Sequence, residues 1–397
     1  MRLIRLPVAV LTIALAAACG TDAAPPPPTT PAAPAPRWVA ASPGIPPDRL
    51  TSLEGGAGWD RGFVLAGHHL VPAAPNSRGQ VNDLVSDVYT SPDGGTWAPA
   101  ALDGIRQLGH QTPVAGHRGT AYVLGATTSG AAVWRSEDGV SWSALPLAGS
   151  EPGEALSAVA AGPRGVVVVG FDRPMAVLDT DRIDNRDHDG LRVWHSTDGK
   201  TFTGPDAIDA PGLRSGYLPD VTATADGFTV FGVTGDPDSG TTMLSSADGT
   251  EWTTDDPGPV RGRVLSLTRK DDLTVLFTDP TTTDGDLGPT AWRRGTGDWT
   301  ASHDVTVGVL PDANVDKPEA QRIRQVTAWR GWLIATGSSS GGGGVWLSSD
   351  AARWERVPVK QNGFGTAGSL SAFTNNTTAL LAGDASDGGP LRIWTSA

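Results

Sequence analysis

Six arginines occupy one kind of position in the sequence. Arg106, Arg214, Arg261, Arg263, Arg322 and Arg324 each precede or begin an apolar, strand-like run. A guanidinium is a planar fork of donors that keeps its charge, so several converging on one point would hold a carboxylate or a phosphate. Scattered over a surface, the same groups form separate salt bridges with the abundant Asp. Tyr217, close to Arg214, is the one tyrosine whose surroundings suit a site, because Tyr89 and Tyr122 fall at core-type positions of apolar strands. Asn185-Arg186-Asp187-His188-Asp189-Gly190 has oxygen ligands at alternate positions followed by a Gly turn, with Asp179, Asp181 and Asp184 before it. That spacing has two readings, a solvated acidic loop or the first half of a calcium loop, with Asn185, Asp187 and Asp189 as ligands. Calcium is the one cofactor the sequence admits. The seven histidines show no metal-hydrolase spacing and read as surface or loop residues.

Positioning such groups falls to a chain of 397 residues with 51 Gly and 32 Pro, too much backbone punctuation for a mostly helical protein. Asp outnumbers Glu 36 to 7, which favours turns over helices. A net charge of −13 argues against tracking a nucleic-acid backbone, so no nucleic-acid partner is expected.

One pattern recurs. It reads Val88-Tyr89-Thr90-Ser91-Pro92-Asp93-Gly94-Gly95-Thr96-Trp97, and again over 133–142, 193–202 and 243–252, with weaker copies at 292–299 and 346–354. The copies close at residues 97, 142, 202, 252, 299 and 354, spaced 45 to 60 residues apart, which suits four-stranded blades with loops of varied length. A second periodicity places a buried-type residue eleven positions before the end of an apolar strand: Val114 and Gly125, Val159 and Gly170, Val221 and Gly232, Leu267 and Thr278, Val326 and Gly337. Turns such as Arg118-Gly119 and Asp226-Gly227 lie between them. The C-terminal 368–397 supplies three strands of a further blade, and Arg37-Trp38-Val39-Ala40 supplies the missing outer one. The expectation is an all-β, seven-bladed β-propeller closed by an N-terminal outer strand, with no sheet edge left open.

The Ser-x-Asp-x-Gly turns followed by Trp or Phe resemble the Asp-box, or BNR, repeat of sialidase-like β-propellers. The resemblance implies that the boxes are structural and that ligands sit on the opposite face, built from the loops between strands two and three of each blade and from the connections between blades. It also implies what an enzyme would need there: an arginine triad, a Tyr nucleophile paired with Glu, and an acid/base Asp. The family's Arg-Ile-Pro signature before the first box is absent, and sialidases have six blades. The leading expectation is a non-enzymatic scaffold whose rim arginines bind an envelope protein or an anionic glycan. A sialidase-like glycoside hydrolase is the alternative, and a purely structural envelope module is a third reading.

Residues 1–18 carry Arg2 and Arg5, an apolar run from Leu6 to Leu15, and Ala16-Ala17-Ala18 before Cys19, the sole cysteine. The run is too short for a stable membrane span, and the stretch resembles a bacterial lipoprotein signal. It implies a lipid on Cys19 that anchors the mature chain to a membrane, extracytoplasmic side outward. Residues 19–36 read as a Pro-rich tether and 37–397 as the propeller.

Overall fold

Alternating apolar strands and tight turns assemble into seven antiparallel sheets, one per repeat. The computed structural model describes residues 34–72, 82–152, 154–174, 191–208, 210, 219–233, 241–279, 289–302, 322–339 and 341–396. Among these, helix is confined to Val359–Asn362 and the 3-10 turn Phe364–Thr366.

Blade one comprises Ser52–Trp59, Gly62–Pro72, Asn82–Ser91 and Ala98–Pro99, ordered from the inside outward. The inner strands of blades three to seven are Glu154–Gly162, Asp220–Ala223, Arg263–Lys270, Arg322–Trp329 and Ser371–Thr374, while blade two divides its inner strand into Gln107–Leu108 and Val114–His117. Each inner strand touches those of both neighbouring blades, and the last returns to the first, so the ring is closed. Blade seven takes its outer strand from the other end of the chain: Trp38–Ala41 pairs antiparallel with Arg392–Ser396, with Trp38 opposite Ser396 and Ala41 opposite Ile393. That pairing removes the free edge which a three-stranded last blade would present.

Seven buried apolar clusters lie one between each pair of neighbouring blades. The closing aromatic of each repeat packs against the preceding blade. Trp354, for example, meets Phe277 edge-on with ring centroids 5.0 Å apart. Trp38 does the same for blade seven, where it is buried with Ile334 and Val345 of blade six. The propeller is therefore held together between blades by side chains that large-to-small substitution would turn into cavities.

In blades one, two, three, four and six the Ser-x-Asp turns share a serine-to-aspartate hydrogen bond and an aspartate oxygen that accepts the N–H two residues on. In blade two, Ser136 Oγ donates to Asp138 Oδ1 at 3.1 Å and accepts from Gly139 N–H at 2.8 Å. The same Asp138 oxygen accepts from Val140 and Ser141 N–H at 2.8 and 2.7 Å. Trp142 Nε1 then donates to the Gly139 carbonyl at 3.3 Å. Gly139 has φ +76°, a left-handed conformation that suits glycine. Blade five, whose outer turn is Arg294-Gly295-Thr296-Gly297-Asp298, lacks the serine and keeps only Trp299.

Because strands alternate in direction, these outer turns share a face with the turns between strands one and two. The opposite face collects the starts of the inner strands and the ends of the second strands. There the inner strands carry a recurring irregularity: the register skips one residue at Glu54, Ser157, Leu265 and Arg324. The residue before each skip pairs with Gly67, Gly170, Thr278 or Gly337, the last three being strand ends expected from the periodicity. At Gly337 an added Cβ would lie 1.8 Å from the Arg322 carbonyl oxygen, so close approach explains the glycine. A bulge frees one residue from the ladder and re-aims its side chain, and here it does so around the channel mouth.

Candidate functional site

Blades four, five and six open into a cleft of about 390 Å³ at that mouth. Arg263 and Leu265 come from the start of blade five's inner strand, and Arg322 and Arg324 from the start of blade six's. Arg322 and Arg324, two residues apart on one strand, line this cleft together with Arg263, and the register skip frees Arg324 from the ladder. Asp220, the first residue of blade four's inner strand, forms part of the opposite wall. Gln111 arrives from the 109–113 excursion of blade two, which runs along blade three's inner strand through Gln111 N–H to Ser157 O at 2.9 Å and Val159 N–H to Thr112 O at 2.9 Å.

The excursion also fixes Asp220. Thr112 Oγ1 donates to its Oδ2 at 3.0 Å, and the N–H of Val221 donates to Oδ1 at 2.8 Å. Burial nevertheless dominates and pushes the carboxyl up to about 6. Beside the cleft, Glu54 binds His68 Nδ1 at 3.1 Å. This contact holds the Glu54 carboxyl below its ordinary range and raises the His68 imidazole. Asp384 Oδ1 accepts the Leu53 N–H at 2.7 Å, while burial raises its carboxyl. Arg324 Nη2 donates to the Leu53 carbonyl at 3.2 Å, and its charge bears on both Glu54 and Asp384.

Three of the six arginines thus come together. Arg106 is exposed just before Gln107–Leu108 and does not line the cleft. Arg261 turns away and donates to the carbonyls of Gly258 and Val260 at 2.6 and 2.9 Å. Arg214 and Tyr217, the Asn185, Asp187 and Asp189 loop, and Cys19 lie outside the described residues. Among the described residues no group of three or more His, Cys, Asp or Glu is arranged to hold a metal ion. Tyr89 and Tyr122 are buried, as expected of core residues. His69 departs from the surface reading of the histidines. It is buried, with Nδ1 on Asp87 at 2.6 Å and Nε2 facing Arg49 at 2.9 Å, and it secures the segment before blade one.

Asp220, Gln111, Glu54 and Asp384 escaped the sequence reading because polar residues at strand starts look like ordinary turn residues. The eleven-residue spacing locates strand ends at the mouth but not the bulges, since blade four keeps it from Val221 to Gly232 with an unshifted register.

No family model and no curated protein matches this sequence. Solved structures match through the fold. Virginiamycin B lyase from Staphylococcus aureus is similar with a TM-score of 0.52 at 13% identity, over 91% of this chain and 99% of that one. The β-propeller domain of the Trilobed protease from Pyrococcus furiosus gives 0.51 at 8% identity, over 87% and 95%. Pyrococcus horikoshii acylaminoacyl peptidase gives 0.51 at 10% identity over 84% of this chain, which spans about half of that enzyme, 49%. At these identities the likeness is one of fold.

Proposed function

We propose that the chain is a non-enzymatic binding scaffold that recognises the carboxylate or phosphate of an anionic glycan or envelope protein at the channel mouth. The observation that carries this reading is the shared cleft of Arg263, Arg322 and Arg324. Recognition needs only oriented donors on a rigid frame, and the inner strands of two adjacent blades provide that frame. Membrane attachment through a lipid on Cys19 completes the reading and rests on the sequence of residues 1–19. An array of matched acidic and neutral glycans tests the binding part. Wild type should retain acidic members and lose them when the three arginines become Ala, whereas equal retention of neutral members would sink the proposal.

A sialidase-like glycoside hydrolase is the second reading, favoured by one observation: a cleft carboxyl, Asp220, raised to about 6, where a general acid works near neutrality. Turnover of a fluorogenic sialoside, lost in Asp220→Asn and in Tyr217→Phe, would replace the scaffold by an enzyme. Calcium at Asn185, Asp187 and Asp189 is a separate proposal. Calorimetry should show a site that disappears in Asp187→Ala plus Asp189→Ala, and no heat at millimolar calcium leaves a solvated acidic loop.

A further inference from the structure

The mouth cleft holds charges of both signs that do not pair with one another. The Asp220 carboxylate accepts from the Thr112 hydroxyl and the Val221 N–H, neither of which is a cation, and makes no ion pair among the described residues. Arg322 makes no hydrogen bond or ion pair among the described residues and is exposed to the cleft. Blade five's inner strand, bearing Arg263 and Leu265, lies between them.

A half-buried carboxylate without a cation is unusual, because it loses hydration and gains no Coulomb attraction in return. Asp220 is in that position, and burial is what raises its carboxyl. A carboxylate offers about four acceptor positions, so the Thr112 and Val221 contacts leave capacity for another donor. The far flank of the cleft differs. There Arg324 is compensated by Glu54 and Asp384, and Glu54 is already held by His68. The uncompensated pair is Asp220 on one wall and Arg322 on the other.

We propose that the mouth cleft takes a small zwitterion, with its oxyanion on Arg322 and Arg263 and its ammonium on Asp220. This rests on the anion-binding reading and adds the second charge to it. An anion alone would face the Asp220 carboxylate, and a cation alone would face the arginines, so selectivity comes from repulsion of singly charged molecules as well as attraction of the pair. The cleft volume is within the range of small-molecule sites.

The test is calorimetric titration of the full chain at about pH 7.5, above the range in which Asp220 takes up a proton. One arm uses triglycine beside N-acetyl-triglycine and triglycinamide. The other uses phosphoethanolamine beside ethyl phosphate and ethanolamine, which separates a peptide source from an amino-phosphate headgroup. At least one zwitterion should bind about tenfold more tightly than either singly charged relative. Asp220→Asn should erase that preference by weakening the zwitterion while the anion's affinity holds or rises, since Asn removes the repulsion and can still bond to Thr112 and preserve the wall. Equal binding of zwitterion and anion in the wild type, or a preference that survives Asp220→Asn, overturns the inference and leaves the anion reading standing. If no probe binds, or if binding is unchanged in Arg263→Ala plus Arg322→Ala, both fall.

Discussion

Ser136 is buried and serves two partners, the Asp138 carboxylate and the Gly139 N–H. Ser136→Ala leaves that buried N–H without an acceptor, at a cost of about 1–3 kcal/mol, read as a lower melting temperature with the fold retained. Asp138 and Asp198 are held down at about 2 by the backbone N–H groups they accept from. Their contribution is present above the unfolded value and is lost as pH falls through the folded one. Acid unfolding between about pH 4 and 2 should therefore be blunted in Asp138→Asn plus Asp198→Asn, and an unchanged acid limb would show that the turns do not matter to acid stability. Asp220 has the opposite sign. Its native carboxyl is raised from 3.8 to about 6, so ionisation opposes folding, with no penalty below about pH 4 and the full penalty above about pH 6. At about 1.4 kcal/mol per pKa unit the upper bound is roughly 3 kcal/mol. Asp220→Asn should match wild type in melting at about pH 4 and exceed it at about pH 8; the reverse order would mean that burial is not what shifts the group.

The strand Trp38–Ala41 is held to blade seven by antiparallel pairing and by the burial of Trp38, which stands where the closing aromatic stands in the other blades. Trp38→Ala should cost about 3–5 kcal/mol through the cavity it leaves, and deletion of 37–42 should also cause aggregation by exposing an edge. A full-length melting temperature in the deletion would show that the strand does not close the ring. The inner-strand bulge is the other element that matters. Gly337→Ala would drive a methyl into the Arg322 carbonyl and displace the bulge, so it should lose anion binding along with stability, whereas Gly341→Ala, with open space around its Cβ, should keep both. These elements were legible to different degrees. The outer turns announce themselves through Ser, Asp, Gly and Trp at fixed spacing, and the orphan Trp38 strand follows from counting blades. The bulges do not, because a skipped residue such as Glu54 or Arg324 has no type of its own. The eleven-residue spacing does not betray them either, because blade four keeps it from Val221 to Gly232 with an unshifted register.

In the ring as a whole, the proposed recognition lies on the face opposite the Ser-x-Asp turns. The Ser-x-Asp turns and their aromatics lock blade to blade on one side, while the inner-strand starts present polar groups at the mouth on the other. The sequence groups the arginines by their place before or at strand starts, but only ring geometry decides which meet: Arg263, Arg322 and Arg324 sit on adjacent blades, Arg106 belongs to blade two, Arg261 bonds its own turn, and Arg214 lies outside the described residues. Anchoring is tested at the same level. Cys19→Ser should release the protein from the membrane fraction or leave it unprocessed, and a mutant still bound and normally cleaved would remove the lipid from the account.

The central claim is that the mouth arginines bind an anionic group, and calorimetric titration of wild type and of the Arg263, Arg322 and Arg324 triple Ala variant with sialyllactose, galactose 6-phosphate and lactose tests it most directly. Each charged hydrogen bond removed is worth about 1.5–3 kcal/mol, so the account predicts that at least one acidic probe binds the wild type, that lactose does not, and that the variant loses about tenfold or more of that affinity. Lactose binding as tightly as the acidic probes, or acidic probes binding the variant as they bind the wild type, would contradict it.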